Sequence, residues 1–181
     1  MAFELRSPTA RDSQFTVDLR SDPRVSQFLH RVPGDLQSQR RWEEAALMRD
    51  DDLPLVIYRR STRRPEGTVG IYSIDRTLKT AEWGRWALLH GSPAAVESVL
   101  LVFRLGFDKM GLTSLYSRTL TANSRVIAFH DRLGAQRELD GYLDVDGRRQ
   151  AYVQHRLSSK AWPALRRRLE PLAEAVASRL A

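Results

Sequence analysis

Cysteine is absent from this 181-residue chain, which excludes disulfides, thiolate metal sites and a cysteine nucleophile. Lysine is scarce: Lys79, Lys109 and Lys160 are the only three among 29 basic residues, and the rest are arginine. No apolar run is long enough for a signal peptide or a membrane span, and Glu4 and Arg6 charge the amino terminus at once. A cytoplasmic protein with no membrane contact is therefore expected. No basic stripe with interleaved aromatics is present, so no nucleic-acid partner is expected. The four histidines (His30, His90, His130, His155) lack ligand-like spacing, and no metal is expected.

What remains is ordinary for one globular domain: 42% hydrophobic and 28% charged residues, without repeats or low-complexity linkers. The net charge of +7 rests on arginine, which suits bidentate recognition of phosphate or carboxylate. Clusters at Arg40-Arg41, Arg59 to Arg64 and Arg166 to Arg168 read mostly as solvated surface, and an anionic small molecule fits at least as well as any larger partner.

The patterning predicts a strand over Phe3 to Ser7 and a helix from Ala10 to about Leu19. A second helix is capped by Ser21-Asp22-Pro23, and a third spans Ser38 to Met48. Strands follow at Leu53 to Tyr58, Thr68 to Ile74 and Thr80 to Leu88, with Arg59 to Glu66 as a hairpin connection. A long helix over Pro93 to about Met110 crosses to a strand at Thr113 to Leu120, which implies a parallel pairing. Ala122-Asn123-Ser124 then opens a helix whose Val126, Ile127 and Phe129 share a face and which Gly134 stops. Ala135 to Leu143 and Arg148 to Leu157 flank an Asp-Gly hairpin turn. Ser158 to Ala181 is helical, with Pro171 expected to kink or restart it. The fold class is α/β, a mixed sheet of about seven strands. Residues 1–157 form the expected domain, and 158–181 a helical extension packed on it or at a dimer interface.

Asn123 ends a strand and begins a helix, where polar groups are free to hold a ligand; it also reads as a plain helix cap. The element order, with Asn123, His130 and Gly134 after the fifth strand, resembles the GCN5-related N-acetyltransferase (GNAT) family. The likeness covers nearly everything from Leu5 to Trp162. Within the family it is nearest the branch of ribosomal-protein N-terminal and amino-sugar acetyltransferases. Leu19 to Val25, Gly70 to Asp75, Ala81-Glu82-Trp83-Gly84, Phe107 to Leu112 and Asp146 to Trp162 carry that likeness.

The resemblance implies direct transfer of an acetyl group from acetyl-CoA to a primary amine, with no covalent enzyme intermediate. It implies splayed fourth and fifth strands that hold the pantetheine arm between them. Backbone N–H groups of Trp86, Ala87 and Leu88 would form the oxyanion hole, and Asn123 would bond the pantetheine. The phosphate loop corresponds to His90-Gly91-Ser92-Pro93-Ala94-Ala95, so Gly91, Ser92, Ala94 and Ala95 are the candidate cofactor contacts. Proline stands there where the family has glycine, and Ala135 stands where it usually has phenylalanine. Ser92 reads better as a helix cap than as a phosphate contact.

Glu82 is the candidate base, direct or through water; its alternative is an ion pair with Arg85 or another arginine. Asp75 is a weaker candidate and a better turn cap. His130 occupies the position of the family's tyrosine acid and would donate a proton near its free pKa; its alternative is a polar residue on an exposed face. Candidate acceptor contacts are His30, Arg31 and Tyr116, the last of which could instead pack the sheet. Phe28 and Trp42 fall on apolar helical stripes and read as structural.

Three readings stay open. The first is an N-acetyltransferase for a small-molecule amine such as a nucleotide-linked amino sugar, or else for a protein amino terminus. The second is a binding module on the same fold, motivated by the altered phosphate loop. The third is an interaction protein that dimerises through the Trp162 to Leu180 stripe.

Overall fold

Alternation along the strands builds a seven-stranded sheet in the order β1-β2-β3-β4-β5-β7-β6. The structure is a computed structural model, and it describes residues 1–29 and 34–180. The strands are β1 (Phe3–Arg6), β2 (Asp52–Arg59), β3 (Arg64–Asp75), β4 (Thr80–Leu88), β5 (Ser114–Leu120), β6 (Gln136–Val145) and β7 (Arg148–Ser158). Every pairing is antiparallel except β4 with β5. That parallel step spans the crossover helix α4 (Ala95–Phe103), as strand–helix–strand geometry requires.

Beyond the sheet lie α1 (Ser13–Ser21), α2 (Pro23–Ser26), α3 (Leu36–Leu47), α5 (Ser124–Leu133) and α6 (Trp162–Leu180). Consecutive strand residues point to opposite faces. On β4, Ala81 and Trp83 join the main apolar core with Phe103, Leu115, Leu157, Trp162 and Leu169, beneath α4 and α6. Glu82 points the other way, towards α1 and α3. No helix among the described residues is long and apolar enough to cross a membrane.

The sheet agrees with the expected order of elements; several boundaries shift for local reasons. The first helix starts at Ser13 rather than Ala10, because Asp12 Oδ2 accepts from both the amide and the hydroxyl of Thr9, at 2.8 Å each. The arginine-rich connection is shorter than expected: Arg59 already pairs with Arg64. The long helix is α-helical only to Phe103, then widens into a π-helical segment, Arg104–Lys109. Gly106 within it presses on β5, where a Cβ would come within 2.7 Å of Leu115. Gly134 does stop α5, with φ of 81°. Helix α6 runs through Pro171 without a break.

Candidate functional site

The ladder between β4 and β5 is short. Thr80, Ala81 and Glu82 pair with Ser114, Leu115 and Tyr116, and beyond those residues the two strands part. Peptide groups of β4 that would bond β5 therefore have no strand partner past Glu82. On its other side β4 carries a bulge: Gly84 and Ala87 pair with Gly70 and Thr68, so β4 holds one extra residue there. Arg85 sits in that bulge at φ 51°. A cavity of about 520 Å³ threads the gap, reaching α1 and α3 on one face and Asn123, Val126 and His130 on the other.

On the α1–α3 face the cavity wall is charged. Glu82, only 3% exposed, accepts from Arg118 through Nε at 3.0 Å and through a second guanidinium nitrogen, and from the Tyr72 hydroxyl at 3.1 Å. Burial first, then the charge of Glu82, raises the Tyr72 phenol well above its ordinary range. Arg85 binds Asp52 in a fork, at 2.6 and 3.0 Å, while its guanidinium lies over the rings of Tyr72 (4.1 Å) and Trp42 (5.0 Å). On α3, Gln39 and Glu43 are both buried one turn apart, and Glu43 accepts from Gln39 Nε2 at 2.9 Å and from the Ser13 hydroxyl at 2.6 Å.

On the opposite face the wall is built of rings. Trp83 meets Phe103 and His130 edge-on, with centroids 5.2 and 5.3 Å apart, and Trp86 packs on Phe129. Trp86 Nε1 donates to the Ser98 hydroxyl at 3.1 Å. His130 is 3% exposed, stacks on buried His155 at 5.0 Å and lies 3.3 Å from the Ser117 hydroxyl. Burial, reinforced by His155, pulls its pKa down to about 4, so the ring is neutral at pH 7. Asn123 Oδ1 caps α5 by accepting from the Val126 amide at 3.3 Å, while the residue also lines the cavity.

Residues 3–136 match the acetyltransferase (GNAT) domain family. The chain belongs to the GNAT acetyltransferase family. Among solved structures this GNAT protein superposes on apo FdhC, described as a nucleotide-linked sugar GNAT, at 26% identity and TM-score 0.77, covering 90% of each chain. A GCN5-related N-acetyltransferase from Brucella melitensis matches at 19% identity and TM-score 0.81, over 94% of this chain and 81% of that one. Spermidine N-acetyltransferase from Vibrio cholerae, in complex with CoA and spermine, matches at 14% identity and TM-score 0.78, over 88% and 96%. No curated protein sequence matches this chain.

Of the candidate site residues singled out in the sequence, Glu82, Trp86, Asn123 and His130 line the cavity, and so do Phe28, which lies past the end of α2, and Trp42, both expected to be structural. Ala87, Leu88, Gly91, Ser92, Ala94 and Ala95 lie beyond its lining, and His30 and Arg31 lie outside the described residues. Tyr116 is not in the lining either: it sits where β4 and β5 are still paired, under the Arg156 guanidinium. Glu82 is ion-paired, but to Arg118 and not Arg85. Asp75 caps its turn through the amides of Thr77 and Leu78. Ser92 accepts from the Ala94 amide at 3.2 Å and donates to Glu66 at 2.6 Å.

Two expectations need correction. His130 is neither on an exposed face nor near its free pKa, because α5 turns it under Trp83 and against His155. Trp42 is not core; at 38% exposed it forms part of the cavity rim beneath Arg85. Sequence reasoning missed Tyr72, Arg118, Ser117, Gln39 and Glu43. A signal existed for the last two, since Gln39, Glu43 and Ala46 form the buried stripe of α3 and the first two are polar.

Proposed function

We propose that this GNAT-family protein transfers an acetyl group from acetyl-CoA to the primary amine of a small molecule, of which a nucleotide-linked amino sugar is the favoured class. The observation that carries this reading is the opened β4–β5 ladder, with unpaired backbone groups of β4 facing a cavity entered from both faces of the sheet. Such a gap takes an extended chain on the ring side and an acceptor on the charged side.

The residues present fit the pantetheine half of the donor: Trp86 and the backbone beyond it, the Asn123 carboxamide and the apolar wall of Trp83 and Val126. The bound thioester supplies the acetyl group. Backbone N–H groups of β4 past the bulge would be the donors to its carbonyl oxygen. The amine nitrogen would bond the acetyl carbon as the C–S bond breaks. Glu82, anchored by Arg118 and Tyr72, would take the acceptor's proton through a water, and the departing thiolate would be protonated through the same water. His130, neutral in its pocket, holds Ser117 and closes the wall. Trp42, Tyr72 and Arg85 form a stacked edge suited to a planar base or a sugar face.

A second reading, a binding module without transfer, draws on the loop before α4. There Glu66 occupies the Ser92 hydroxyl and Pro93 supplies no amide donor. An assay of free thiol release from acetyl-CoA separates the two, run against amino-sugar nucleotides, polyamines and peptides with free amino termini. Acceptor-dependent release with amino-sugar nucleotides is expected. Saturable acyl-CoA binding without release for any amine would support the module.

A further inference from the structure

Past Glu82, β4 runs on without β5 to Leu88, and the loop over 89–94 then turns into α4. A donor laid along this gap puts whatever follows its pantetheine arm at the head of α4. The cap residue Ala94 offers no side-chain bond to the amides of that first turn, and such a helix end ordinarily draws an anion. Here a carboxylate of the chain itself stands beside it. Glu66 of β3 is pinned next to the loop, because its carbonyl accepts from the Leu89 amide at 2.9 Å and Gly67 pairs with Leu88. The Glu66 side chain, 12% exposed, accepts from the Ser92 hydroxyl at 2.6 Å and lies 2.6 Å from Arg59 Nε in an ion pair.

The other donors of the loop are engaged as well. The Ser92 amide bonds the Leu89 carbonyl at 3.0 Å, the Ala94 amide bonds Ser92 Oγ at 3.2 Å, and Pro93 has no N–H. Residues 92–94 thus keep no N–H or O–H for a phosphate, and one placed at the first turn would stand against a like charge. Arg63 and Arg64 of the β2–β3 hairpin and His90 of the loop are exposed, where a charge holds a phosphate weakly and yields it to salt.

We propose that Glu66 is a donor-specificity residue: it takes the phosphate seat before α4, so the acyl donor is held by its pantetheine arm and its phosphates add little. The donor class is then an acyl thioester of pantetheine, of which acetyl-CoA is one member. The proposal rests on the reading above, in which the gap takes the pantetheine arm.

The test titrates CoA and pantetheine, the same arm without phosphates or nucleotide, by calorimetry. Wild-type protein should bind the two within about threefold of each other. Glu66→Ala frees the Ser92 hydroxyl and the Arg59 guanidinium, so CoA should bind roughly tenfold more tightly, the scale of one hydrogen bond to a charged group, with pantetheine unchanged. Arg63, Arg64 and His90 are the same in both proteins, so the comparison isolates Glu66. A wild type that prefers CoA by about a hundredfold overturns the proposal without recourse to any variant, and leaves the transferase reading intact. A CoA-to-pantetheine ratio unmoved in Glu66→Ala overturns it too. Thiol release from acetyl-CoA and S-acetylpantetheine separates the two claims. If no amine elicits release from either thioester while Glu66→Ala still tightens CoA alone, the transferase reading falls and the role of Glu66 stands.

Discussion

Glu82 and Trp83 are neighbours on β4, yet they belong to opposite kinds of wall. Glu82 enters a network of Arg118, Tyr72, Arg85 and Asp52 in which each buried charge has a partner. Trp83 enters a buried assembly of rings: Phe103, His130 and, through His130, His155. One face of the gap is thus suited to a polar acceptor and the other to an uncharged chain. The difference follows from strand alternation alone, and each wall should fail in its own way when cut.

The ring wall should fail hardest. Trp83→Ala removes a side chain 3% exposed and leaves a cavity beside Phe103, so a loss of about 4 kcal/mol is expected in denaturant unfolding. Next is its pH response. His130 falls from 6.5 to about 4 on folding, so its contribution is fully present above pH 6.5 and is lost as the pH drops towards 4. That amounts to stability on the order of 3 kcal/mol across the window, and His130→Gln should flatten the slope measured by thermal melts between pH 7 and 4. Asp131, held low by Arg137 and His155, loses its contribution only further into acid.

The charged wall should lose less. Arg118→Ala leaves Glu82 buried with the Tyr72 hydroxyl as its remaining partner, and costs about 2 kcal/mol by the same denaturant assay, since Arg118 itself is partly exposed. If Arg118→Ala were as damaging as Trp83→Ala, the two walls would not differ in kind.

Much of this was legible in the chain. The order of elements along the chain, the parallel step across α4 and the α5 caps at Asn123 and Gly134 follow from local patterns, whereas the gap beside Glu82 was implied only by the family resemblance. The π-helical segment was not, because it depends on Gly106 meeting Leu115 of another strand. Nor was the burial of His130, whose partners Trp83 and His155 lie far away in sequence. Arg118 escaped notice because an alternating strand does not announce which carboxylate its arginine will meet across a parallel pairing.

Asn123 joins the two regions, and its replacement has the smallest effect on the fold. Asn123→Ala should cost about 1 kcal/mol as a lost helix cap. Its larger effect should be on ligand binding, and that makes it the direct probe of the gap. Titration of acetyl-CoA into wild type and Asn123→Ala by calorimetry should give saturable one-to-one binding that weakens several-fold in the variant, on the scale of one hydrogen bond. Absence of binding to the wild type, or binding indifferent to Asn123, would contradict the assignment of this gap as the donor site.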